Sequence, residues 1–234
     1  MKPIELAQWP PLGVDWYYAD KSVCIAHGDC REIVPTLGKF DLLLTDPPYG
    51  LGEAAGKNKS RSVLAHSVDY GNDTWDTKPA EWNTISRLIG VAKNACVFGG
   101  NFYPVPSSSA WLIWDKENGA NDFADCELAW TNYGCAVRLK RHRWHGMLRK
   151  NNETRQHPTQ KPLDVMVWAI SLCPGEPQTI LDPFAGSCTT ARAAKDLGRK
   201  CVCIEREEKY CEIGAERMRQ EVFDFGACSD EKRA

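Results

Sequence analysis

The sequence predicts an α/β protein, and two observations carry that reading. Residues 22–26 and 40–45 are almost wholly apolar runs separated by a stretch that can hold a short helix, as expected for a parallel strand pair covered on both faces. Toward the other end, residues 179–205 (TILDPFAGSCTTARAAKDLGRKCVCIE) read as strand, tight loop of small residues, helix, strand and acid, which is the layout of a nucleotide-binding βαβ unit.

The elements follow in order. A strand at 15–18 turns at Ala19-Asp20-Lys21 into the strand 22–26, which His27-Gly28-Asp29 ends. Residues 30–37 hold a short helix stopped near Gly38, and the strand 40–45 then runs into the rigid corner TDPPYG at 45–50. Residues 51–80 are polar, rich in Gly, Asn and Ser, and without period; a loop of that length in a compact domain is expected to be a substrate or lid loop. Trp82, Ile85, Leu88, Ile89 and Ala92 recur at helical spacing, and 95–98 is a buried strand closed by Gly99-Gly100. Three strands in succession, 110–114, 127–131 and 136–140, suggest an antiparallel edge. Pro162 suits the first residue of a helix carrying Leu163, Val165, Met166, Val167, Ile170 and Leu172. A strand at 179–181, a helix at 189–197 stopped by Gly198, a strand at 200–204 and a helix from 206 to about 222 complete the chain, with a tail expected to fray.

The 234 residues are read as one domain, and 43% hydrophobic with 26% charged residues is ordinary for a soluble globular chain. No window approaches the ~18 apolar residues of a membrane span, and the N-terminus lacks a long apolar leader, so membrane insertion and secretion are disfavoured and the cytoplasm is expected. The eleven cysteines are scattered and form no CxxC pair, which argues against a metal site and for reduced thiols used as small buried hydrophobes, Cys201 and Cys203 on one face of a strand among them. A formal charge of −2 gives no global basic field, so a nucleic-acid partner must be met by a local patch. The segment 138–160 offers one: Arg138, Lys140, Arg141, Arg143, Arg149 and Lys150 are six cations in 13 residues, and Lys57, Lys59 and Arg61 of the 51–80 loop could frame the same groove. A solvated strand edge is the alternative account of that run.

In the C-terminal unit, Glu205 stands 19 positions after Gly186, the spacing at which an acid meets ribose hydroxyls. The loop is not GxGxxG, and Asp182 with Pro183 places negative charge where a diphosphate would sit, which disfavours a nicotinamide-dependent oxidoreductase. A ligand with an adenosine end and a cationic centre fits better, and S-adenosylmethionine, with its sulfonium and ammonium, is one.

The motifs TDPPYG, HPTQKP at 157–162 and DPFAGSCTT at 182–190, ahead of Glu205, resemble those of the S-adenosylmethionine-dependent amino-methyltransferases of DNA. With DPPY first and the cofactor loop last, the order is similar to that of the circularly permuted β group, whose small members are often phage or prophage encoded. The likeness runs from about Asp15 to Val222 and includes Trp114-Asp115-Lys116 and Glu127-Leu-Ala-Trp130. It implies a Rossmann-like, seven-stranded, mostly parallel sheet with an antiparallel edge and helices on both faces. It also implies DNA as partner and a restriction-modification setting. By the same resemblance, Asp46 and the Pro47 carbonyl would hold the target amino group, with Pro48 stiffening the corner and Tyr49 stacking on the base. Asp182, Phe184, Ala185, Gly186, Ser187 and Thr189 would surround the methionine part of the cofactor, Glu205 would bind its ribose, and His157, Thr159 and Lys161 would close over its carboxylate. Asp29 sits where an acid contacts the cofactor adenine, although an N-cap explains it equally well. Glu205 has a second reading as a surface acid, and His157 as a turn residue. Cys188 departs from the family pattern, which has glycine there; if the position needs positive φ, the thiol strains the loop.

The implied activity is methyl transfer to N6 of adenine in DNA, because an aspartate opening the motif favours adenine. Cytosine N4 is the runner-up, and a non-catalytic DNA-binding module keeping the fold is the alternative from another class. The sequence leaves open a homodimer, a partner nuclease, the recognition site and acceptance of RNA.

Overall fold

A computed structural model describes residues 4, 8–50, 78–118, 124–145, 148–149 and 160–220. Among the described residues there are eleven strands: β1 (Tyr18–Ala19), β2 (Val23–His27), β3 (Phe40–Thr45), β4 (Ala92–Phe98), β5 (Trp111–Asp115), β6 (Cys126–Thr131), β7 (Arg138–Arg141), β8 (Trp144–His145), β9 (Leu148–Arg149), β10 (Thr179–Asp182) and β11 (Lys200–Glu205). The helices are α1 (Cys30–Ile33), α2 (Trp82–Ile89), α3 (Leu163–Ser171), α4 (Thr189–Asp196) and α5 (Glu208–Arg219).

Nine strands form one sheet in the order β1-β2-β11-β10-β3-β4-β6-β5-β7, and β8 with β9 makes a separate hairpin. Seven central strands, from β2 to β5, make the expected sheet, and the short β1 and the basic β7 extend it at either edge. The antiparallel character enters through β6, which inserts between β4 and β5 and runs against both, and through β1 against β2. β7 itself pairs parallel to β5.

Alternation along the strands decides the layers. Leu42 and Leu44 join a core with Val165, Met166, Ala169 and Ile170 of α3 and with Ala191, Ala193 and Ala194 of α4. Leu43 points the other way, into a core with Cys30, Ile85 and Leu88 from the α1 and α2 side. Each of these side chains is at most 5% exposed, so both faces of β3 are covered, as its unbroken apolar run predicts. Cys201 and Cys203 lie together in the first core with their thiols 3.8 Å apart. Among the described residues no helix is long and apolar enough to cross a membrane.

Several local expectations shift by a residue or two. α3 starts at Leu163 with Pro162 as its extended N-cap rather than its first residue. Only Tyr18 of the strand expected at 15–18 pairs, joined by Ala19. Most of the 51–80 loop lies outside the described residues, but its end returns to the corner: Pro79 bridges Tyr49, and the Ala80 N–H donates to the Pro48 carbonyl at 3.0 Å.

Cys188 occupies the left-handed region (φ 58°, ψ 39°) as N-cap of α4, so the position does demand the backbone that glycine adopts freely. Its side chain is accommodated from α5. A Cβ added to Gly214 would lie 2.5 Å from the Cys188 Sγ, so the two residues share one side chain's space. Gly214→Ala should therefore destabilise the protein by about 1–3 kcal/mol through overpacking. In a Cys188→Gly background the same change should stabilise by about 0.5–1 kcal/mol, as alanine normally does in a helix. Chemical denaturation of the four variants reads this reversal of sign.

Candidate active site

Three neighbouring strands deliver the site. β3, β10 and β11 run parallel and side by side, so Asp46, Asp182 and Glu205 emerge together at their carboxyl ends. From β10 the chain moves to β11 on one side, whereas from β3 it moves to β4 on the other. That reversal is where open α/β sheets bind ligands. A cavity opens there, lined by Asp46, Pro48, Lys161, Asp182 and Glu205 and by the loop from Pro183 to Ser187.

The loop is strapped to β11. The Ala185 N–H donates to the Ile204 carbonyl at 3.1 Å, and the Gly186 N–H donates to Glu205 Oε2 at 2.7 Å. Glu205 Oε1 accepts from the N–H groups of Arg206 and Glu207 at 2.8 and 2.9 Å. A carboxylate has about four acceptor positions, so capacity remains for hydroxyl donors. Burial raises the Glu205 carboxyl, against the three N–H groups that favour its charged form. From α5, Arg217 donates to the Ser187 carbonyl and to Thr189 Oγ1 at 3.3 and 3.0 Å, holding the loop from behind.

Asp182 is 3% exposed. Its Oδ1 accepts from Thr45 Oγ1 at 2.9 Å and from the Phe184 N–H at 3.2 Å, and its Oδ2 from Thr190 Oγ1 at 2.5 Å. Burial pushes its carboxyl up to about 7, against the Thr190 and Thr45 hydroxyls that favour the charged form. Among the described residues it forms no ion pair.

Among the described residues, the cavity lining gathers the carboxylates of Asp46, Asp182, Glu205 and Glu207 against two cations, Lys161 and Arg206. Lys161 is already bound to Asp46. This surplus of negative charge suits a ligand with a cationic centre and repels a diphosphate. The residues present thus fit S-adenosylmethionine: Glu205 would be the acceptor for ribose hydroxyls and Asp182 the counter-charge.

At the corner, the Pro48 carbonyl accepts from Tyr103 Oη at 2.6 Å as well as from Ala80. Both Asp46 oxygens are engaged: Tyr49 Oη donates to Oδ1, and Lys161 Nζ pairs with Oδ2. Lys161 also reaches Glu127 Oε2 at 3.1 Å, and Glu127 Oε1 is held by Lys116 at 2.6 Å. Burial raises the Asp46 carboxyl; Lys161 opposes this and Glu127 adds to it. Burial would raise Glu127 too, but Lys161 and Lys116 hold it down at about 2. The Tyr49 ring stacks on Phe102 with centroids 4.9 Å apart and planes at 16°. Gly99 makes room for that ring: at φ 64°, an added Cβ would lie 2.0 Å from Tyr49 Cε1.

Most of the residues expected in the site converge on it: Asp46 and Pro48, with Asp182, Phe184, Ala185, Gly186, Ser187, Thr189 and Glu205, line the cavity. Lys161 lines it as well, but its ammonium is turned to Asp46 and Glu127 rather than left to meet a cofactor carboxylate. Asp29 caps α1, accepting from the Arg31 N–H at 2.9 Å and pairing with its guanidinium, which holds its carboxyl below the ordinary value. It does not line the cavity. Arg138, Lys140 and Arg141 lie on β7, with Arg143 just beyond. β7 is four strands from β3, or about 19 Å at ordinary strand spacing. Arg141 pairs with Asp115 at 3.3 Å. Lys57, Lys59, Arg61, Lys150, His157 and Thr159 lie outside the described residues, and Arg149 is described only as backbone of β9. Sequence reasoning assigned no site role to Glu127, Lys116, Tyr103 or Thr190; an acid within the otherwise apolar strand CELAWT is the signal that could have marked Glu127.

A Rossmann-like sheet with an anionic cavity at its switch point and an acidic Pro-Pro-Tyr corner beside it defines a methyltransferase of the S-adenosylmethionine-dependent class. A model of the N6/N4 methyltransferases, described as DNA methylase, matches residues 109–216. Over those residues the chain is similar to that family of DNA methylases. Type II methyltransferase M2.LlaDCHI of Lactococcus lactis subsp. cremoris is 26% identical, the match covering 86% of this chain and 91% of the relative. Type II methyltransferase M.HinfI of Haemophilus influenzae is 25% identical over 84% of this chain and 68% of its own length. The same fold is seen in the cytosine-N4-specific PvuII DNA methyltransferase, with a TM-score of 0.58, 15% identity and coverage of 89% of this chain and 90% of that one. It is also seen in the M1.HpyAVI–SAM complex, with a TM-score of 0.54, 21% identity and coverage of 85% and 100%.

Asp182 generates a pH expectation. Its carboxyl lies near 7, above the ordinary carboxylate value, so it is mainly protonated below pH 7. A cationic ligand prefers the ionised form, so affinity for S-adenosylmethionine should rise as pH increases through 7, by about tenfold between pH 6 and 8. Calorimetric titration at both pH values checks this, and Asp182→Asn should give weaker binding without the slope.

Proposed function

We propose that this protein transfers the methyl group of S-adenosylmethionine to the exocyclic N6 of adenine in DNA. The observation that carries the reading is the Asp46-Pro47-Pro48-Tyr49 corner, built beside a cavity of surplus negative charge. Bound S-adenosylmethionine supplies an electrophilic methyl on a sulfonium. The amino nitrogen of adenine is a poor nucleophile because its lone pair is drawn into the ring. Asp46 and the Pro47 carbonyl accept its two hydrogens, which favours a tetrahedral nitrogen and frees the lone pair. Positive charge grows on that nitrogen during transfer, so a fixed carboxylate stabilises the transition state more than the ground state. Prolines keep the corner stiff and free of competing donors. Tyr49 offers a stacking face to a base swung out of the duplex, since the amino group is out of reach inside the helix.

On this reading the cations Arg138, Lys140, Arg141 and Arg143, on β7 and just beyond it, meet phosphates, together with Arg149, Lys150, Lys57, Lys59 and Arg61. Cytosine N4 carries an equivalent amino group, and a fold neighbour is cytosine-N4-specific; the aspartate that opens the corner favours adenine.

Incubation with tritiated S-adenosylmethionine and unmethylated DNA, followed by nucleoside analysis, should yield N6-methyladenine. N4-methylcytosine in its place, or no label from a folded protein, would overturn the reading. Asp46→Ala should lower turnover by about 10³-fold or more while keeping cofactor affinity within about threefold. Glu205→Ala should weaken cofactor binding by roughly tenfold to hundredfold, as loss of a charge-assisted hydrogen bond does. The opposite division between the two variants would refute the assignment.

A further inference from the structure

The corner contains a conflict that the proposed chemistry has to resolve. An amino group needs an acceptor on Asp46, yet Oδ1 is engaged by Tyr49 and Oδ2 by Lys161. Lys161 is 6% exposed, so water cannot take over its donors and its ammonium has to stay on a carboxylate. A second carboxylate is in place, with Glu127 Oε2 at 3.1 Å. Glu127 lies behind Lys161 and outside the cavity lining, and it cannot follow the lysine forward because Lys116 holds its other oxygen at 2.6 Å. Lys116 in turn sits over the Trp114 ring, 5.2 Å from its centroid. The chain Lys116, Glu127, Lys161, Asp46 thus alternates in sign and sums to zero. A small movement of the Lys161 ammonium from Asp46 toward Glu127 leaves no buried charge without a partner.

We propose that Glu127 is a positioning residue for methyl transfer: it draws the Lys161 ammonium off Asp46 Oδ2, so that this oxygen accepts a hydrogen of the target amino group. The inference rests on Asp46 as amino acceptor, argued above, and holds for adenine N6 and cytosine N4 alike. Two physical terms favour the movement when the base arrives. The amino hydrogen replaces the ammonium as donor to Oδ2, so the carboxylate keeps its partners. The positive charge that grows on the amino nitrogen is then no longer opposed by an ammonium on the same carboxylate, because Lys161 has moved to the more distant acid. Sequence gave Lys161 the task of meeting the cofactor's carboxylate; the geometry assigns it to the acceptor corner, with Glu127 as its second seat.

The groups facing Asp46 are Lys161 and Glu127, Tyr49 on its own corner, and Asp182 at the end of the neighbouring strand. Removing the negative charge of Glu127 lowers the Asp46 carboxyl, whereas removing the positive charge of Lys161 raises it. The experiment measures kcat at saturating S-adenosylmethionine and DNA from pH 5 to 9 for the full chain and for Glu127→Gln, Lys161→Met and the double variant. Glu127→Gln should lose roughly tenfold to hundredfold in kcat, as a mispositioned group does, keep the cofactor Kd within about threefold, and move the acidic limb to lower pH. Lys161→Met should move that limb to higher pH. The double variant should be no slower than Lys161→Met alone, because the effect of Glu127 runs through the lysine. Unchanged kcat in Glu127→Gln, limbs that move in the same direction, or losses that multiply in the double variant would each overturn the inference. Should Glu127→Gln fail to fold, Glu127→Asp keeps the charge and shortens its reach; it should retain the wild-type limb with reduced kcat, and wild-type kcat there would overturn the inference. Nucleoside analysis of the wild-type product tests the choice of base separately, and methylated cytosine would refute the adenine reading without touching these profiles.

Discussion

Asp182 accepts hydrogen bonds from Thr45, at the end of one central strand, and from Thr190, in the first turn of the helix that follows its own strand. This clasp joins segments 137 residues apart in sequence and fixes the distance between the acceptor corner and the cofactor loop. It requires β3 and β10 to be parallel neighbours, which in turn requires apolar side chains on both faces of each strand. The buried carboxylate costs energy because, among the described residues, no cation pairs with it, and a positively charged ligand would offset that cost. Packing, electrostatics and chemistry therefore meet in one side chain.

The fold was legible wherever a local pattern carries long-range information. The unbroken run of Leu42, Leu43 and Leu44 can be buried only between two layers, and the structure supplies α3 and α4 on one side and α1 and α2 on the other. Gly198, at φ 67°, ends α4 where its lack of a Cβ allows. The insertion of β6 between β4 and β5 was not legible, because a strand's own sequence records which faces are buried and not which neighbours it pairs with. The family resemblance implied seven strands, whereas the reading of each segment in turn gave nine, with 15–18 and 136–140 among them; the described residues form a nine-stranded sheet with β1 and β7 at its edges.

The candidate site divides in the same way. Asp46, Asp182 and Glu205 stand at strand ends in recognisable motifs, so their convergence followed once the sheet was assumed. Lys161 was expected to meet the cofactor's carboxylate; in the structure it pairs with an acid 115 residues earlier, and only the fold brings the two together. Glu127 was noted within a motif but given no role in the site, because its pairing with Trp114 across β5 and β6 is a matter of register. Asp29 admitted two readings, and a short helix with Arg31 two residues on favours the cap.

The shared space between Cys188 and Gly214 bears on how such proteins can be recombined. The cofactor loop looks like a portable cassette, a run of nine residues that could be exchanged between relatives. In this chain the cassette extends, in volume, into the last helix. A loop carrying glycine at that position, grafted alone, would leave a void against Gly214, and a graft into a helix with a larger residue opposite would not close. Chimeras that move the loop and α5 together should inherit a working floor for the pocket, while those cut between them should not.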